Sequence, residues 1–175
     1  MAWWLQNNLR MIQNNLRDID AGMDVDAWFA EIESSHCNCV MVGAGGITSF
    51  YPTNLPYQTR SPYLKGDLLG EIVRVCHAHG VRVIARFDFS KTHERLLAEH
   101  PEWYYVSEAG EHLHYNDTAA TCVCGEYQQR LSIEILREVL ENYPVDGIFF
   151  NMFGFQTKDY SNVEHGICNC PACRK

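Results

Sequence analysis

Short runs of β-branched and aromatic residues alternate along this chain with segments of helical periodicity, and this alternation constrains the fold most strongly. The runs lie at residues 39–42, 81–87 and 147–150. Their apolar residues are continuous, as in strands that are buried on both faces. Residues 9–16, which mix apolar and amide side chains, predict a further strand at the start of the chain.

Amphipathic helices are predicted between these strands. Asp24 is a suitable N-cap, and apolar residues follow it at i, i+3, i+4 and i+7 spacing. A second apolar stripe covers residues 67–79, and Gly80 suits the left-handed cap that would end it. The longest helix is predicted over residues 125–143, where Pro144 stops it. The alternation predicts an α/β chain with a parallel sheet and right-handed crossovers.

Loop lengths favour a barrel over a doubly wound sheet. The glycine-rich turn at residues 43–46 lacks the full dinucleotide pattern and a phosphate-loop lysine, so we interpret it as a bend at a strand end rather than a phosphate cradle. The segments that follow strand ends are long, at residues 43–66 and 100–124, whereas the turns from helix to strand are minimal. In (β/α) barrels the elaborated end carries the active site.

The length of the chain sets how much of a barrel it contains. A full barrel needs about 250 residues, and this chain has 175. We therefore predict a partial TIM (β/α) barrel with parallel strands, comprising about the first four strand–helix units, as a single domain over residues 1–175. An isolated half-barrel exposes apolar strand edges, which predicts a homo-oligomer, with a dimer expected for the bare chain.

Charge and hydropathy exclude several classes of partner. The chain has 14 Lys and Arg against 22 Asp and Glu, for a net charge of -8. Nucleic acid and anionic membranes are therefore not expected as partners. The first ten residues form no apolar signal core, and no later stretch reaches the ~18 apolar residues of a membrane span. We expect a soluble, cytoplasmic protein.

Polar side chains at strand ends are the candidates for chemistry. Strand alternation places Arg86 and Asp88 on one face at the end of the second long run. Such a pair either forms a structural ion pair or faces a polar ligand, and the sequence leaves both readings open. Asn151 follows the last run. Ser90 and Lys91 are interpreted as a helix cap and a solvated lysine.

Amides and aromatic rings elsewhere suit a carbohydrate. Gln13 and Asn15 share one face of the first strand, and amides hydrogen-bond to hydroxyl groups. The long loops carry many aromatic residues, most of which are expected to pack the loops down. From these loops we select Tyr51 and Trp103, with Gln13 and Asn15, as candidate substrate-binding residues.

The cysteines are read as mostly reduced thiols, since eight in 175 residues are too few for a disulfide scaffold that replaces a core. Cys168, Cys170 and Cys173 have a spacing that suits tetrahedral zinc. The fourth ligand is left open among His165, Cys122 and Cys124, and unligated thiols are the alternative. We expect no cofactor for catalysis and treat a structural zinc as the one metal hypothesis.

Several longer motifs, in the same order, resemble the group called hypothetical glycosyl hydrolase 6. They are residues 10–17 (RMIQNNLR), 49–53 (SFYPT), 55–57 (LPY), 61–64 (SPYL), 85–91 (ARFDFSK), 100–103 (HPEW) and 145–151 (VDGIFFN). The likeness runs nearly end to end. It implies the N-terminal part of a glycosidase (β/α)8 barrel, often followed by a domain similar to the trimerisation domain of β-galactosidases. The cysteine-rich ending resembles a cluster seen after the fourth strand of such barrels.

The resemblance implies glycoside hydrolysis, with Arg86, Asp88 and Asn151 as candidate catalytic residues lining a polyol-binding cleft. Related retaining barrels, including those that resemble α-fucosidases, often end the fourth strand in a catalytic carboxylate, where this chain has Asn151. The second carboxylate is therefore expected from strands outside this chain or from a residue within it. The internal candidates are Asp18, Asp20 and Glu164. The alternative function is a carbohydrate-binding or degenerate half-barrel without catalysis.

Overall fold

The computed structural model describes residues 2–5 and 8–175. The strands are β1 (Met11–Asn14), β2 (Cys39–Gly46), β3 (Arg82–Asp88), β4 (Lys91–His93), β5 (His114–Tyr115), β6 (Thr118–Ala120) and β7 (Gly147–Asn151). The α-helices are α1 (Val25–Ser34), α2 (Leu68–Ala78), α3 (Glu94–Glu99) and α4 (Ser132–Asn142). Short 3-10 turns lie at Trp3–Leu5, Asp18–Gly22 and Pro101–Trp103.

The main sheet is parallel and has the order β1-β2-β3-β7. Each of its strands coincides with one of the predicted runs, so the expected parallel strands are confirmed. The helices α1, α2 and α4 lie between successive strands of this sheet, as a strand–helix repeat requires. In the described part of the chain, no helix is long and apolar enough to cross a membrane.

Local capping explains where the helices begin and end. The Asp24 side chain accepts a hydrogen bond from the amide of Ala27, and Asp67 caps α2 in the same way. Such caps satisfy backbone donors that have no partner inside the helix. Gly80 follows α2 with φ of 72°, the left-handed conformation expected there. The predicted longest helix begins with a π-helical turn over Tyr127–Leu131 before α4.

The two faces of the main sheet differ in what covers them. One face packs against the helices and forms the core, with residues such as Val40, Val83 and Ala85 completely buried. We call the opposite face, which carries Gln13 and Arg86 according to the strand register, the open face. A barrel turns this face toward its interior, with the ligand site at the C-terminal strand ends.

The glycine-rich segment is a bend, as interpreted from the sequence. The pairing of β2 with β3 shifts register between Gly43 and Gly45. Gly46 has φ of 104°, and a Cβ placed there would lie 2.1 Å from the carbonyl oxygen of Asp88. Only glycine permits this conformation and this close approach. The bend therefore allows the end of β2 to pack directly against the end of β3.

A second, antiparallel sheet of order β4-β6-β5 follows β3. It packs with a separate apolar cluster whose buried members are Tyr105, Ala120, Cys122, Cys168 and Cys170. The long segment that follows β3 thus forms a small sheet beside the strand ends of the main sheet.

Candidate functional site

The three predicted catalytic residues lie together at one edge of the open face. Asp88 and Asn151 are register partners at the C-terminal ends of β3 and β7. Asn151 Nδ2 donates to Asp88 Oδ2 over 2.7 Å. Arg86 Nη2 lies 3.6 Å from the same carboxylate oxygen. The parallel register brings residues that are 63 positions apart in sequence into one polar cluster.

The other oxygen of Asp88 is held by Ser90. Asp88 Oδ1 accepts from the Ser90 amide at 3.0 Å and from Ser90 Oγ at 2.5 Å. Ser90 is therefore not a helix cap, which corrects the sequence interpretation. The reason is that the chain continues from Ser90 into β4, and α3 begins only at Glu94. These contacts fix the orientation of the Asp88 carboxylate.

Arg86 makes the ion pair that was one of its two predicted roles, and it also retains an unsatisfied donor. Its Nε is buried and has no hydrogen-bond partner among the residues that the structure describes. A buried donor without a partner costs about 1–3 kcal/mol. The ion pair with Asp88 is therefore observed, and the role toward a polar ligand stays a prediction.

Lys91 is buried, which corrects the expectation of a solvated lysine. It is 6% exposed, because β4 pairs with β6 and holds the side chain beneath two tyrosine rings. The ammonium lies 5.3 Å from the ring centre of Tyr160 and 6.0 Å from that of Tyr115. It donates to Ser90 Oγ over 3.3 Å. This burial was not predictable from the sequence, since a lysine beside a strand end is normally solvated.

Gln13 and Asn15, predicted to bind substrate, lie at the far edge of the sheet. Both are exposed, and Gln13 Nε2 donates to Asn15 Oδ1 over 2.6 Å. Gln13 lies in β1 and Asn15 directly follows it, and β2 separates β1 from β3. Gln13 shares the open face with Arg86, and among the described residues neither amide has a hydrogen bond to the Arg86 cluster.

Tyr51 and Trp103, also predicted to bind substrate, lie in the core, which corrects their expected position. Tyr51 is 1% exposed and Trp103 is 3% exposed. The hydroxyl of Tyr51 donates to Glu138 of α4 over 2.8 Å, and the Trp103 ring stacks on His100 at 3.9 Å. Both rings hold long loops against the helices, the packing role expected of most loop aromatics.

Two of the three internal candidates for a second carboxylate, Asp20 and Glu164, pair with cations elsewhere. Asp20 pairs with Arg17 at 3.2 Å, and hydrogen bonds from Arg17 lower the pKa of Asp20. Glu164 pairs with Lys158 at 3.0 Å. Asp18 contributes its backbone carbonyl to Ser61. Among the described residues, none of these three carboxylates has a hydrogen bond to the Asp88 cluster.

The cysteine motif converges with one further cysteine. The sulfur atoms of Cys168, Cys170, Cys173 and Cys122 all lie within 4.8 Å of one another, and those of Cys122 and Cys173 are 3.3 Å apart. A tetrahedral zinc with Zn–S bonds of about 2.3 Å requires four sulfurs at such separations. The donor set therefore fits zinc.

The structure also separates the three alternatives for the fourth position in the cysteine cluster. Cys124 is exposed, although it is only two residues from Cys122. His165 is paired with Asp159 over 3.0 Å. Cys122 follows β6 and is completely buried beside the C-terminal cysteines, so it alone of the three joins the cluster.

The parallel strands and the helices between them form part of a (β/α) barrel, with polar side chains at the carboxyl ends of the strands. Residues 24–152 match the family described as hypothetical glycosyl hydrolase 6, and the chain belongs to that family. Among curated proteins, none matches the chain significantly.

Solved structures confirm the partial barrel. The α-L-fucosidase isoenzyme 2 from Paenibacillus thiaminolyticus has a TM-score of 0.72 and 24% identity, with 94% of this chain and 25% of that chain covered. A maltogenic α-amylase from Thermotoga neapolitana has a TM-score of 0.58 and 18% identity, with 85% of this chain and 40% of that chain covered. A hypothetical protein from Ruminiclostridium thermocellum has a TM-score of 0.62 and 16% identity, with 89% of this chain and 84% of that chain covered. The chain thus spans a quarter of the fucosidase.

Proposed function

We propose that this chain forms part of a glycoside hydrolase that cleaves an O-glycosidic bond of a galactoside- or fucoside-like carbohydrate. The observation that carries the proposal is the convergence of Arg86, Asp88 and Asn151 at neighbouring strand ends. Membership of a glycosyl hydrolase family supports the same chemistry. Active sites of (β/α) barrels lie at this end of the strands.

In the proposed mechanism, Asp88 acts at the scissile bond as one of two carboxyl groups. Retaining enzymes place these groups about 5 to 5.5 Å apart, and inverting enzymes place them further apart. The carboxylates of Asp20 and Glu164 are committed to Arg17 and Lys158. We therefore propose that the second carboxyl group is supplied by barrel strands outside this chain.

Substrate hydroxyls are proposed to bind beside Asp88. The Nε of Arg86 is a buried donor without an acceptor among the described residues, and the amide of Asn151 forms one hydrogen bond with them, to Asp88. Gln13 and Asn15 are proposed to contact a more distant part of the carbohydrate, because they share the open face but lie at its other edge.

A non-catalytic carbohydrate-binding domain is the second candidate. It is favoured by Asn151, an amide where related barrels often have a carboxylate. The two candidates are separated by assaying the natural-length protein for product release from aryl galactosides and fucosides, together with calorimetry on the same sugars. Product release supports the hydrolase. Binding without product supports the binding domain, and the absence of both contradicts both.

We further propose a structural zinc ion held by Cys122, Cys168, Cys170 and Cys173. It would tie the end of the small sheet to the C-terminal segment, whose Cys168 and Cys170 are buried in the same cluster. Reduced thiols are what a cytoplasmic location provides, and we propose that location for this protein.

A further inference from the structure

A cavity of about 220 Å³ lies beside the proposed catalytic cluster. Its wall includes Lys91, Tyr115, Met152, Gln156 and Tyr160. Lys91 follows directly on Ser90, the residue that holds Asp88, and Met152 follows directly on Asn151. The cavity therefore opens next to the strand ends but uses side chains that the proposed hydrolytic chemistry leaves unassigned.

The feature of this cavity that indicates a ligand is the buried ammonium of Lys91. Its hydrogen bonds go to neutral oxygens, Ser90 Oγ at 3.3 Å and the Tyr160 hydroxyl at 3.4 Å. Among the described residues, Lys91 has no direct ion pair, and its link to the Asp88 carboxylate runs through Ser90 Oγ. A buried charge without a direct counter-ion is unfavourable, and the faces of two tyrosines offset only part of that cost.

The other basic side chains in the wall have carboxylate partners. Lys158 pairs with Glu164 at 3.0 Å, and His114 lies 2.6 Å from Glu94. The carboxylate of Asp159, also in the wall, accepts from the amides of Ser161 and Val163 at 2.8 Å and 3.0 Å and lies 3.0 Å from His165. Among the described residues of the wall, Lys91 is therefore the basic side chain without a direct carboxylate partner.

We propose that this cavity binds a negatively charged substituent of the carbohydrate, so that the substrate is an acidic sugar. The carboxylate of a uronic acid and the phosphate of a phosphorylated sugar share the required chemistry. The inference rests on the proposed function, because Lys91 and Asp88 both bond to Ser90. The anionic group would therefore bind at Lys91, which Ser90 links to the Asp88 cluster.

Calorimetry on the natural-length protein tests this inference with galactose, galacturonate and galactose 6-phosphate. At least one acidic sugar should bind about tenfold or more tightly than galactose, since a hydrogen bond to a charged group contributes about 1.5–3 kcal/mol. Lys91→Met should remove that preference, measured as the ratio of the affinities for the acidic sugar and for galactose within the same variant. Lys91→Arg should keep the preference. Lys65→Met is the matched control, because it removes one exposed lysine that lines other cavities.

The outcomes separate this inference from the proposed function. Equal affinity for galactose and both acidic sugars in the wild type overturns the inference and leaves carbohydrate binding intact, and this comparison needs no variant. A preference that survives in Lys91→Met also overturns it. If no sugar binds but inorganic phosphate binds in a Lys91-dependent manner, the anion site stands and the carbohydrate function fails. If neither sugars nor phosphate bind, both proposals fail.

Discussion

Replacing Cys122 by serine tests the proposed zinc site through the ligand that the sequence could not select. The four sulfurs lie within 4.8 Å of one another, so loss of any one leaves three ligands. If the free zinc concentration is about a thousand times the dissociation constant of the site, zinc binding stabilises the folded state by about 4 kcal/mol. For a chain of this size each kcal/mol shifts the melting temperature by about 2–4 °C. Removal of zinc should thus lower the melting temperature by about 8–16 °C.

The assay combines elemental analysis with thermal unfolding. Wild-type protein purified without added metal should carry about one zinc ion per chain and should lose stability on chelation. Cys122→Ser should carry much less zinc and should no longer respond to chelator. Cys124→Ser is the matched control, because Cys124 is exposed and lies outside the cluster. Zinc-free wild type, or equal zinc loss in the two variants, would refute the reasoning.

Three further predictions concern the sheet. Burial disfavours ionisation of Asp146, but hydrogen bonds from the Val83 amide, His77 and Arg82 outweigh it and lower its pKa. Asp146→Asn should therefore cost about 2 kcal/mol at pH 7, and the difference in urea denaturation should shrink below the unfolded pKa of about 3.9. Gly46→Ala should cost about 3 kcal/mol or more, measured by the same denaturation. The bare chain should self-associate in light scattering through the exposed apolar residues of β7.

Each of these three predictions can be contradicted by a specific result. The sign for Asp146 follows from its lowered pKa: the stabilisation is present above the unfolded value and is lost as the pH falls through the folded value. A pH-independent difference between wild type and variant would contradict that assignment. Wild-type stability in Gly46→Ala would contradict the close approach to β3. A monodisperse monomer would contradict self-association.

The strands and helices of the main sheet were predictable because their signals are local. Asp24 and Asp67 cap helices through their own next turn, and the continuous apolar runs need burial on both faces wherever they occur. The polar cluster at the strand ends was also predictable, because parallel strands bring Asp88 and Asn151 to the same end of the sheet. These inferences require only chain direction and periodicity.

The remaining features depend on tertiary packing that sequence spacing does not determine. The choice of Cys122 over Cys124 rests on which side of the chain turns toward the C-terminal cysteines. Tyr51 and Trp103 were predicted to bind substrate, but the Tyr51 hydroxyl donates to Glu138 and the Trp103 ring nitrogen donates to Glu126. Lys91 is buried because its own short strand pairs into an antiparallel sheet, and two- and three-residue strands carry too little pattern to be predicted.

The most direct test of the central claim is the turnover of the natural-length protein carrying Asp88→Asn. Because Asn at position 88 would disturb the bond to Asn151, the double variant Asp88→Asn/Asn151→Asp is the companion that restores a carboxylate–amide pair. Asp26→Asn, on the exposed surface of α1, is the control. Glycosidase turnover should fall by about 10²–10⁴-fold in Asp88→Asn and stay low in the double variant. Unchanged turnover in Asp88→Asn, or full recovery in the double variant, would contradict a chemical role for Asp88.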